Sequence, residues 1–97
     1  MRLTGDQIEI IKTLAAQFFG SNAKVYLFGS RVDDKKQGGD IDIYIETDVK
    51  AGILDKKLNM LLELEKQLGQ RKIDLVINNF KNHLPVYEVA RKEGVIL

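Results

Sequence analysis

Residues 40–46 alternate without a break. Ile41, Ile43 and Ile45 fall in one phase; Asp40, Asp42, Tyr44 and Glu46 fall in the other. Successive side chains of a strand point to opposite faces, so this segment is a strand with one apolar face and one acidic face. Such a strand must bury its isoleucines under another layer while its acids stay near water, and that requirement shapes the reading of everything around it.

The neighbouring segments supply that layer. Thr4 with Gln7 three residues later reads as a capping box. Ile8, Ile11, Leu14, Ala15 and Phe18 then recur at helical spacing until Gly20, so residues 5–19 are read as an amphipathic helix. Lys24 to Phe28 is short, rich in strand-forming residues and bounded by Asn22 and Gly29. Residues 30–39 are polar and end in Gly38-Gly39, which makes a loop. Residues 53–68 form the second long helix, with Leu54, Leu58, Leu61, Leu62 and Leu68 assigned to one broad buried face and Gly69 as the residue that stops it. Leu64 is then a surplus leucine able to face a partner. A third strand runs from Lys72 to Ile77, with Ile73, Leu75 and Ile77 opposite Lys72, Asp74 and Val76. Pro85 opens a last short helix with Asn82 as its cap and Val86, Val89 and Ala90 inward. Gly94 ends it, and Val95-Ile96-Leu97 can add a terminal strand. The expected fold is α+β: one domain over residues 1–97, with a mixed sheet, helices packed on one face, and the carboxylates on the other.

Composition narrows the function. The 97 residues fit one domain. There is no cysteine, which excludes disulfides and thiolate metal sites. A bound metal would therefore be held by oxygen, or by the single His83, and oxygen donors favour a hard cation such as Mg²⁺ or Mn²⁺. The formal net charge of +1 argues against direct nucleic-acid binding, which calls for a basic face. No apolar run approaches the roughly 20 residues of a membrane span, and the first residues lack the apolar core of a signal peptide. A cytoplasmic protein is expected.

Three features carry chemistry. Gly29-Ser30 follows a strand directly; backbone N–H groups at such a turn, with the serine hydroxyl, suit an anion, although the dipeptide alone is an ordinary turn. Asp40 and Asp42 stand on one face about 6.6 Å apart along the strand, and their repulsion is relieved by a divalent ion that also reaches phosphate oxygens. An isolated pair of this kind is more often a solvated strand edge. Asp74 is the third member: if its strand lies beside residues 40–46 in register, three carboxylates share one sheet face. Two-metal phosphoryl transfer requires that arrangement, with one ion on the triphosphate and the other at the attacking hydroxyl near Asp74. Arg31 can contact a phosphate or pair with an acid. Tyr44 can line the pocket or be a half-exposed strand tyrosine. His83 beside a proline-containing turn reads as structural, and Lys35 and Lys36 as a solvated loop.

Leu27-Phe28-Gly29-Ser30-Arg31, Gly39-Asp40-Ile41-Asp42-Ile43 and Lys72-Ile73-Asp74-Leu75-Val76 together resemble the three signatures of the minimal nucleotidyltransferases of the DNA polymerase β superfamily. The resemblance spans nearly the whole chain, from Lys24 to its end. It departs from the common pattern at Val32-Asp33-Asp34, where many members carry a second arginine and a glycine, and at Gly39, where many have serine. It implies a nucleotidyltransferase core that binds a nucleoside triphosphate, ATP foremost, with two Mg²⁺ ions and transfers a nucleoside monophosphate. Gly29, Ser30, Arg31 and Gly39 would hold the nucleotide; Asp40, Asp42 and Asp74 would be the metal ligands and catalytic carboxylates.

Larger relatives hold their acceptor on an added helical domain that this sequence lacks. The resemblance therefore implies an acceptor on another polypeptide. Small stand-alone members look like partners of helical HEPN-type proteins in two-component toxin–antitoxin pairs, where the nucleotidyltransferase adenylylates the toxin. The rival reading is a binding module that neutralises a helical partner by contact alone. A transferase for a small molecule such as an aminoglycoside fits less well without a second domain.

Overall fold

The computed structural model describes residues 4–28, 41–69, 72–81 and 84–97. Its elements in chain order are α1 (Gly5–Phe19), β1 (Lys24–Phe28), β2 (Ile41–Glu46), α2 (Ile53–Leu68), β3 (Ile73–Asn78), α3 (Pro85–Glu93) and β4 (Val95–Ile96). The sheet order is β3-β2-β1-β4. β1 pairs antiparallel with β2 and with β4, while β2 and β3 run parallel. Parallel neighbours need a long crossover, and α2 supplies it between β2 and β3. The architecture is α+β with a mixed sheet, as expected.

The caps of α1 and the C-cap of α2 act where the sequence places them. Thr4 Oγ1 accepts from the Gln7 backbone N–H at 3.1 Å and Gln7 Oε1 accepts from the Thr4 N–H at 2.9 Å. Gly20 and Gly69 end α1 and α2 at φ 96° and 86°, a region that disfavours side chains with a Cβ. Thr47, just past β2, donates its hydroxyl to the Phe19 carbonyl at 2.8 Å and so ties the end of α1 to the sheet.

The core lies between the sheet and the pair α1/α2. Ile41, Ile43, Ile45, Val25, Leu27 and Leu75 meet Ile11, Leu14, Ala15, Phe19, Met60, Leu64 and Leu68. This corrects the reading of α2. Its buried face is Met60, Leu64 and Leu68, with Ile53 and Leu61 partly buried. Leu54, Leu58 and Leu62 are 66%, 51% and 57% exposed. Five leucines on one face exceed what a helix lying on a sheet can bury. Met60 and Leu64 point at the sheet, and a helix advances about 100° per residue, so the 54/58/62 row is turned well away from it. Leu64 is therefore core.

α3 packs against the opposite sheet face, over Tyr26 and Tyr44, so the helices are not all on one face as expected. Tyr87, Ala90 and Arg91 face the sheet, while Val86 and Val89 are exposed, contrary to expectation. Leu84, not Asn82, occupies the N-cap position, without a side-chain cap; Asn82 and His83 lie outside the described residues. The close approach of α3 explains Gly94: a Cβ there would stand 2.3 Å from the Ala90 carbonyl oxygen and 3.0 Å from that of Leu27.

Leu64→Ala should cost about 2–5 kcal/mol through its cavity, whereas Leu62→Ala should stay within about 0.5 kcal/mol. Urea unfolding of both variants checks this, and equal losses would contradict the assigned helix face.

Candidate active site

Two carboxylates meet at the start of the parallel strand pair. The register sets Asp42 opposite Asp74, Tyr44 opposite Val76 and Glu46 opposite Asn78, all on the face away from α1 and α2. Paired strands lie about 4.8 Å apart, so the two aspartates emerge side by side. Ladder bonds at either end hold this register: the Ile41 N–H donates to Lys72 O at 2.9 Å and the Thr47 N–H to Asn78 O at 3.0 Å. Asp74 is exposed and Asp42 partly so, which leaves the pair reachable from solvent. On its other side Asp42 is the register partner of Phe28, the last residue of β1.

Opposed like charges destabilise a sheet in isolation, and a divalent cation between them offsets that cost. The donor set is all oxygen, which fits a hard cation. Among the described residues no group of three or more His, Asp or Glu side chains converges, so the described part of this site is a pair. Gly29, Ser30, Arg31, Gly39 and Asp40 lie outside the described residues. Their segment joins Phe28 to Ile41, the residues that flank Asp42 across the ladder and along the chain.

The sequence pattern of the polymerase beta nucleotidyltransferases matches residues 9–97. The chain belongs to that family. No curated protein sequence matches it. As a nucleotidyltransferase domain it has nucleotidyl transfer as its general chemistry, and the parallel β2–β3 pair is the part of the nucleotidyltransferase sheet that presents Asp42 and Asp74 together.

The far end of the same face is built differently. Tyr44, expected to line the pocket or stand half exposed, is fully buried between Tyr26 and Tyr87, with ring centroids 5.5 and 5.9 Å away. Its hydroxyl donates to Glu46 Oε2 at 2.8 Å and accepts from Asn78 Nδ2 at 2.9 Å. Arg91 of α3 donates its Nε–H to the same Glu46 oxygen at 2.8 Å. The hydrogen bond to Glu46 raises the Arg91 guanidinium above its ordinary value. Asn78 Oδ1 accepts from the Phe80 N–H at 2.9 Å, supporting Phe80 at a positive φ of 65°. A cleft of about 510 Å³ opens between Phe80, Leu84, Pro85, Tyr87 and Arg91. Four residues of strand, about 13 Å, separate its floor at Asn78 from Asp74, so the cleft is distinct from the carboxylate pair.

This second cluster was missed by motif reading. The alternation did put Glu46 in phase with Asp42, and a buried acid demands a cation. Only folding shows that Arg91, 45 residues away, supplies it.

Burial raises the Tyr44 phenol above its ordinary 10.0, the bond from Asn78 opposing the shift and that to Glu46 adding to it. A raised folded-state value means that the neutral phenol favours the fold. That contribution is complete below the unfolded value of 10.0 and is lost as pH rises through the folded one. Tyr44→Phe should accordingly show a shallower loss of stability in alkali, read by denaturant unfolding across pH. Asn78→Ala, which strips partners from the Tyr44 hydroxyl and the Phe80 N–H, should cost about 1–3 kcal/mol in the same assay.

Proposed function

We propose that this nucleotidyltransferase moves AMP from ATP to a protein acceptor, and that the acceptor is a helical HEPN-type partner in a toxin–antitoxin pair. The observation that carries the enzymatic reading is the register of Asp42 against Asp74 on parallel strands of a chain that belongs to the family. In this reading an acceptor hydroxyl gives its proton to Asp74 and attacks the α-phosphorus, the α-phosphorus–oxygen bond to the β-phosphate breaks, and pyrophosphate leaves. Asp42 and Asp74, with Asp40, would hold Mg²⁺, which neutralises the triphosphate and the leaving pyrophosphate when bound. Asp74 lies on the outer strand of the pair and is the more exposed, which suits the side from which an acceptor hydroxyl enters. Gly29 and Ser30 would cradle the phosphates through backbone N–H groups and the serine hydroxyl, and Arg31 and Gly39 would complete the nucleotide contacts.

Asp42→Asn keeps size and removes one charge. Incubated with labelled ATP, Mg²⁺ and the product of the neighbouring gene, it should lose at least about a hundredfold in label transfer, since electrostatic stabilisation of phosphoryl transfer is worth several kcal/mol. Wild-type protein should melt higher with Mg-ATP than with ATP alone, because a ligand of the native state stabilises it by mass action. If the variant protects cells from a toxic partner as well as the wild type does, and neither labels that partner, the protein acts by contact and not by transfer.

A further inference from the structure

We propose that α2 is the interface between two copies of this chain, packed antiparallel about a two-fold axis near the middle of the helix. Leu54, Leu58 and Leu62 recur at i, i+4 and i+8 and form one apolar row along α2, each more than half exposed. The core does not use them, since Met60, Leu64 and Leu68 fill the sheet side of the same helix. A row at this spacing is the ridge that packs into the groove of another helix.

The flanking charges select the occupant. Asp55 and Lys66 are eleven residues apart, close to three full turns, so they fall within about 20° of each other on the same flank of the row. In an antiparallel pair, equal flanks face each other and the first turns of one helix meet the last turns of the other. Asp55 of one copy then stands beside Lys66 of its mate, and the axis repeats the contact. A parallel two-fold pair would put this flank of the two copies on opposite sides of the seam, so Asp55 would not meet Lys66. Lys66 is already 3.2 Å from Glu63 within its own helix, an exposed pair that is easily exchanged. The self-complementarity of this flank is what a two-fold interface demands. Three leucines per copy cover less than the roughly 1,200–2,000 Å² of a standard stable interface, so the dimer is weak and reversible.

Sedimentation equilibrium of the full chain from micromolar to millimolar concentration tests this. The wild type should pass from monomer to dimer. Leu58→Glu should remain monomeric with an unchanged circular dichroism spectrum and melting temperature, because Leu58 is outside the core. Asp55→Lys and Lys66→Asp should each weaken association by about three- to tenfold, and the double exchange D55K/K66D should restore it. A wild type that stays monomeric throughout, a dimer that survives Leu58→Glu, or a double exchange no better than the single ones would each overturn the proposal. Leucines covered instead by a different protein would appear as the first of these outcomes.

Discussion

The parallel pairing of β2 with β3 is the constraint from which the rest follows. β2 is central, flanked by β1 and β3, and its isoleucines are fully buried. A slip of one residue in that pairing would turn Ile41, Ile43 and Ile45 outward, so the hydrophobic core enforces the register. The same register sets Asp42 against Asp74. Core and carboxylate pair are therefore opposite faces of one alignment.

One sheet face carries two different electrostatic regimes. At the strand starts, two acids stand side by side within reach of water. At the strand ends, Glu46 is buried and matched by Arg91, with Tyr44 and Asn78 completing the network. The buried end fastens α3 across the sheet, so the face remains accessible at the carboxylates. Removing one partner of such a network leaves a buried charge uncompensated, which is why it locks an orientation.

The short helix α3 and the long helix α2 treat apolar residues in contrary ways. α3 spends its inward positions on Tyr87, Ala90 and Arg91 and leaves Val86 and Val89 exposed; Gly94 then lets the chain pass within a van der Waals contact of β1. α2 has more leucine than its seat on the sheet can cover. Hydrophobic residues outside the core are common singly, but a row along one helix is a feature that association can use.

Local sequence signals determined the elements. The alternation of residues 41–46, the capping box at Thr4 and the glycines after both long helices are local, and each acts over a few residues, so helices and strands could be read directly. The polar phase of Asp42 and Asp74 on their strands was legible because strand alternation is local. Which leucines of α2 are core was not legible, because a helix with apolar residues on most of its circumference has no unique inward side until a sheet is placed against it. Tyr44 was misjudged for a related reason: strand alternation tells which face a side chain takes, not what lies above that face. The cover over Tyr44 and the cation for Glu46 both come from α3, more than 40 residues along the chain, and contact at that separation is decided only when the tertiary fold brings the segments together.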